Sequence, residues 1–133
     1  MENSTIIYGV KVKNNSFSLK KRFQSFRYAF NGLRVLFRFE HNSRVYLLCA
    51  ISVVALGFIL HISIPEWLAI LILTGMVFIL EIINSSIEHL ADFVSPGYSE
   101  KIKIVKDLAA AAVLVAAIVS VITGLIIFVP KIF

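Results

Sequence analysis

Three apolar runs, at residues 45–64, 67–83 and 108–129, dictate most of what this chain can become. A helix rises about 1.5 Å per residue, so roughly twenty apolar residues match a hydrocarbon core of about 30 Å. The first run holds only Ser52, His61 and, at its very end, Ser63 as plainly polar residues. Pro65 and Glu66 mark a short turn after it, and Trp67 stands where an interfacial anchor is expected. The second run stays apolar to Ile83 apart from Thr74 and Glu81, and its helical pattern continues through Asp92 until "SPGYSE" breaks it. The third helix begins near Lys103 and ends at Pro130; its small-residue stretch "LAAAAVLVAA" lets helices approach closely in lipid.

Composition supports the same reading. Of 133 residues, 59% are hydrophobic and 16% charged, against about 25% charged in an average soluble domain. The mean hydropathy is +0.88. The length suits one domain, and two or three short membrane helices cannot enclose a roomy cavity alone, so oligomerisation is expected. The formal charge is +5, and nine of the thirteen Lys and Arg precede residue 45. Lys101, Lys103 and Lys106 lie between the second and third runs, while the connection around "HISIP" has none. The positive-inside rule then places the N-terminus and the second loop in the cytoplasm, and the C-terminus outside.

Ahead of the first run, residues 1–16 read as a flexible polar tail. From there the chain reads as one membrane domain, 17–133. Leu19, Phe23, Phe26, Phe30, Leu33 and Phe37 repeat at intervals of four and three, with Lys20, Lys21, Arg27, Arg34 and Arg38 largely off that stripe. Such a helix suits the headgroup region of an anionic leaflet. An apolar stripe beside the basic residues argues against a nucleic-acid partner. The expected fold is all-α and integral to the membrane. A surface helix at about 18–38 precedes transmembrane helices at about 45–64, 66–92 and 103–129.

The stretch "EIINSSIEHLAD", residues 81–92, carries the chemistry. Glu81, Asn84, Glu88 and Asp92 are separated by three, four and four residues and share one helix face. Carboxylates at a membrane edge are costly and mark function by default. Two carboxylates with an amide between them form a hard oxygen site, the kind Mg²⁺ favours when substrate phosphates complete its shell. Glu40 and Asp107 can reach the same level, so every end predicted to be cytoplasmic presents a carboxylate among basic residues. Lys106 could neutralise a nucleotide phosphate, with Asp107 holding it. Neither G-x-x-x-x-G-K-[ST] nor G-x-G-x-x-G occurs, and His41, His61 and His89 lack zinc-site spacing, which leaves them as packing or interface residues. Cys49 lies within an apolar run and has no intrachain partner for a disulfide.

"EIINSSIEHLAD" with "KDLAAAAVL", and "YAFNGLRVLFRFEHNSR" upstream, resembles the small bacterial integral-membrane diacylglycerol kinase family, which includes undecaprenol kinases. The similarity covers about residues 20–130. It implies a homotrimer of three-span subunits in the bacterial inner membrane, a surface helix on each, and MgATP-dependent phosphorylation of a lipid hydroxyl at composite sites. By position it implies Glu81 as catalytic base and Glu40 and Glu88 as Mg²⁺ ligands bridged to ATP. Asn84 would support that site, and Lys21, Tyr28, Gly97, Tyr98, Ser99, Lys106 and Asp107 would contact nucleotide. Gly32, Arg44 and Ala110 correspond to positions on the lipid substrate. Ala29, Phe30 and Asn31 depart from one branch's Ser-Trp-Lys run, while "EHNSR" and "KDLAAAAVL" are closer to the undecaprenol-kinase branch. A different class of reading is a non-catalytic membrane subunit or scaffold whose acidic face binds a partner.

Overall fold

The computed structural model describes residues 4–7, 10–13 and 19–133. Four helices follow one another: α1 (Leu19–Phe39), α2 (His41–Ile59), α3 (Ile64–Val94) and α4 (Glu100–Ile132). The last three are long and apolar enough to cross a membrane. Upstream, where a featureless tail is expected, β1 (Ser4–Ile7) and β2 (Val10–Lys13) pair antiparallel, with Ser4 opposite Lys13 and Ile7 opposite Val10. The chain divides into two compact units, Met1–Arg34 and Val35–Phe133. The first holds the hairpin and most of α1, on which Phe23, Phe26 and Phe30 are exposed.

In the second unit, α1 ends and α2 begins with only Glu40 between them, in extended conformation (φ −90°, ψ 116°). The sequence suggests a longer polar connection here. The corner is tight because Arg44, in the first turn of α2, reaches back to the end of α1. Its Nε donates to the Phe37 carbonyl at 2.9 Å and its Nη2 to the Arg38 carbonyl. The last carbonyls of a helix have no partner within it. A guanidinium with several donors can take two of them and offset the negative helix end.

α2 stops five residues earlier than its apolar run suggests. His61 adopts φ 48°, and the Ile62 amide donates to the Gly57 carbonyl at 3.2 Å while the His61 amide donates to Phe58 at 3.4 Å. This pair of bonds is a Schellman closure, usually made with glycine at the left-handed position. The turn then enters α3 through Ser63, whose backbone N and Oγ both donate to Glu66 at 2.6 and 2.7 Å. Pro65 lies in the first turn, where its missing N–H costs nothing.

α3 and α4 form the main helix pair, with Val77, Ala91, Val113 and Ala116 buried. At the far end Ile62, Ile70, Ile127 and Phe128 make a core covered by Val53, Leu60, Trp67 and Ala69. Lys131 reaches Glu66 across that end at 3.2 Å, so α4 continues past Pro130 instead of stopping there. Phe37 meets Phe78 edge-on at 6.1 Å, linking the end of α1 to α3. Most other large apolar side chains of the three long helices face outward, Cys49 among them on α2.

Gly57 is needed for this turn. A Cβ there would lie 2.8 Å from the Trp67 ring and 3.0 Å from Ile62. Gly57→Ala is expected to destabilise the protein by about 1–3 kcal/mol, the usual range for overpacking, read as a lower unfolding midpoint in detergent.

Candidate active site

Glu81, Asn84, Ser85 and Glu88 occupy successive positions on the face that α3 turns inward near its cytoplasm-predicted end. Glu81 is 2% exposed, although it is a carboxylate on an apolar helix. Asn84 and Ser85 are buried as well, whereas Glu88 is half-buried and Asp92 exposed. The 3.6-residue period explains the gradient: each turn moves the same face one step farther from the apolar run.

Helix α2 supplies the opposite wall. Ser85 Oγ donates to Glu40 Oε1 at 2.9 Å, joining α3 to the residue that caps α2. One turn further along α2, Ser43 is fully buried. It stands at the level of Glu81, and its hydroxyl has no hydrogen-bond partner. The Tyr46 phenol also lies close enough to feel the Glu81 charge. Asn84 Nδ2 donates to Glu88 Oε1 at 3.1 Å, which orients its Oδ1 the other way. That oxygen is buried and has no partner.

Charge is concentrated here. Glu40 and Glu88 both act electrostatically on Glu81. His89 Nε2 approaches Glu40 Oε1 at 3.7 Å. Lys106, from α4, bonds Asp92 at 2.9 Å and acts on Glu88 from there. Asp107 does not hold Lys106, as adjacency in sequence suggests; it pairs with Lys103 one turn earlier on its own helix. The donor set suits a hard cation: carboxylate oxygens and an orphaned amide oxygen, with no thiolate. Among the described residues no three His, Cys, Asp or Glu side chains converge on one point. A cation held by Glu40 and Glu88 would therefore draw further oxygens from a phosphate or water.

The remaining sequence-predicted residues are distributed as follows. Tyr28 and Gly32 lie exposed on α1 in the first unit; Lys21 is also on α1, its side chain outside the described residues. Gly97 and Tyr98 are exposed in the α3–α4 turn, where Ser95 Oγ donates to the Gly97 carbonyl at 3.2 Å and Ser99 caps α4. Ala110 is exposed on α4. Arg44 is engaged with the α1 carbonyls. Ser43, Ser85 and Tyr46 are additions that the sequence reading did not single out. The one available signal is register, since an antiparallel α2–α3 crossing that sets Glu40 against Ser85 also sets Ser43 against Glu81.

Fold and site together define a multi-pass membrane protein with a carboxylate-rich centre where its helices end. Residues 27–128 match the family of prokaryotic diacylglycerol kinases. The undecaprenol kinase of Bacillus subtilis (strain 168) is 39% identical over 119 residues, covering 90% of this chain and 97% of that protein. The diacylglycerol kinase of Synechocystis sp. (strain ATCC 27184 / PCC 6803 / Kazusa) is 40% identical over 102 residues, covering 75% of this chain and 58% of that protein. The chain belongs to the prokaryotic diacylglycerol kinase family and is a membrane lipid kinase.

Removing the Arg44 guanidinium should loosen the corner that carries Glu40. In Arg44→Ala, backbone amide exchange across residues 36–42 is expected to accelerate while that of α3 stays as in the parent. Equal exchange in the corner would show that the cap contributes nothing.

Proposed function

We propose that the protein transfers the γ-phosphate of MgATP to the hydroxyl of a membrane lipid, with undecaprenol as the first acceptor to consider. The observation that carries this reading is a carboxylate, Glu81, buried one to two turns inside a pair of more accessible carboxylates, Glu40 and Glu88. An acceptor anchored in lipid and a donor dissolved in water can react only where the two phases meet. Glu81 belongs to the lipid side of that boundary and Glu88 to the water side.

In this reading Glu81 takes the proton of the lipid hydroxyl. The lipid oxygen bonds to the γ-phosphorus as the bond to the β,γ-bridging oxygen breaks and ADP leaves. Phosphoryl transfer depends mainly on positioning and charge neutralisation. Glu40 and Glu88 would hold Mg²⁺ with the nucleotide phosphates, and the bound cation would neutralise phosphate charge. Asn84 has a free, buried carbonyl oxygen beside Glu88 and supports that site. Lys106 is near enough to Glu88 to meet a phosphate, and Asp107 belongs to the same helix start. Lys21, Tyr28, Gly97, Tyr98 and Ser99 complete the nucleotide contacts; Gly32, Arg44 and Ala110 line the lipid.

The proposed assembly is a homotrimer with sites shared between subunits, since three membrane helices alone cannot enclose a roomy site. The basic N-terminal segment favours a cytoplasmic N-terminus and site, and with it the bacterial inner membrane. Undecaprenol precedes diacylglycerol because the match to the B. subtilis undecaprenol kinase runs nearly end to end. Diacylglycerol remains the second acceptor, since a relative of equal identity carries that name.

The test is lipid phosphorylation by purified protein in mixed micelles, with labelled ATP, Mg²⁺, and undecaprenol and diacylglycerol offered separately. Labelling of undecaprenol above diacylglycerol is the expected result; labelling of neither by folded protein would favour a non-catalytic scaffold. Glu81→Gln should lower turnover at least about a hundredfold while MgATP binding persists. Near-parental turnover in that variant would remove Glu81 as the base. Glu88→Gln should raise the Mg²⁺ requirement, and unchanged metal dependence would remove it from the metal site.

A further inference from the structure

Serines in membrane helices commonly satisfy their hydroxyls on the carbonyl four residues back. The exposed Ser52 and Ser86 and the half-buried Ser120 do this, donating to Leu48, Ile82 and Ala116 at 2.9, 2.7 and 2.8 Å. Ser85, the immediate neighbour of Ser86, instead donates across to Glu40 on the α1–α2 corner. Ser43, fully buried at the level of Glu81, makes no such back-bond and its hydroxyl has no hydrogen-bond partner. Ser85–Glu40 is therefore the hydrogen bond that joins α3 to the start of α2.

We propose that Ser85 is a positioning residue that clasps α3 to α2 and fixes the placement of Glu40 relative to Glu81. This rests on the reading of Glu40 as a metal ligand and Glu81 as the base. A hydroxyl is suited to the task because it donates a hydrogen bond without adding a competing charge, so Glu40 keeps its second oxygen and its full charge for a cation. A lysine or arginine in the same place would neutralise the carboxylate it was meant to orient. Glu40 particularly needs the support, since it sits at a one-residue break between helices and is held from its own side only by the backbone of that corner. Hydrogen-bond partners of metal ligands typically matter by ten- to a hundredfold in metal affinity.

The experiment uses the full-length protein in detergent and a non-hydrolysable ATP analogue, its binding followed calorimetrically as Mg²⁺ is titrated. Ser85→Ala is expected to raise the Mg²⁺ concentration for half-maximal analogue binding by about tenfold or more, and Ser85→Thr to restore the parent's value. Glu40→Gln is the control. If Glu40→Gln weakens Mg²⁺-dependent binding and Ser85→Ala does not, the clasp is overturned and the metal reading of Glu40 stands. If neither moves it, the metal reading of Glu40 falls, and the inference with it.

Discussion

A carboxylate placed between apolar helices must find its hydrogen bonds inside the protein, because hydrocarbon offers none. Glu81 imposes that constraint on everything around it. Ser43 and Tyr46 on α2 are its polar neighbours, and the Ser85–Glu40 bond beside it holds that face of α2 against α3. That face in turn sets the place where α2 starts, and with it the one-residue corner at Glu40. Arg44 then becomes necessary, since so tight a corner leaves the last carbonyls of α1 without partners. The geometry of the acidic centre and the helix connections above it are one problem with one solution.

The opposite end of the bundle solves a different problem. There the Schellman turn at His61, the Ser63–Glu66 cap, the Trp67–Gly57 contact and the Glu66–Lys131 bridge are all satisfied locally. Glu66 and Lys131 pair with each other there. The acidic end keeps an unpartnered amide oxygen on Asn84 and sets Glu81 within the field of Glu40 and Glu88.

Much of this was legible in the sequence, for identifiable reasons. Membrane helices announce themselves because lipid demands long uninterrupted apolar runs, and the three, four, four spacing of Glu81, Asn84, Glu88 and Asp92 is readable as a single face. Glu40 became a candidate metal ligand only through family resemblance, since a lone acidic residue before a span has no periodicity to mark it. Ser85 could not be separated from Ser86 by type or neighbourhood; only the packing of α2 on α3 distinguishes them. The Lys106–Asp92 bridge depends likewise on α3 lying beside α4. His61 escaped notice because glycine is the usual signal for a left-handed helix end. The hairpin had a visible cue, β-branched residues on both sides of Tyr8 and Gly9, which the polarity of the segment obscured.

The length of α3 has a consequence for how the reaction meets the bilayer. From Trp67, Glu81 lies fourteen residues along the helix, about 21 Å, and Glu88 about 31 Å. Against a hydrocarbon core of about 30 Å, the helix is a ruler with the proposed base marked below the surface and the proposed metal ligand at it. The acceptor's hydroxyl must come down to the mark, or the membrane must thin to meet it. On the proposed mechanism bilayer thickness would become a kinetic variable, and the lipids surrounding the protein would help to set its rate even when they are not its substrate.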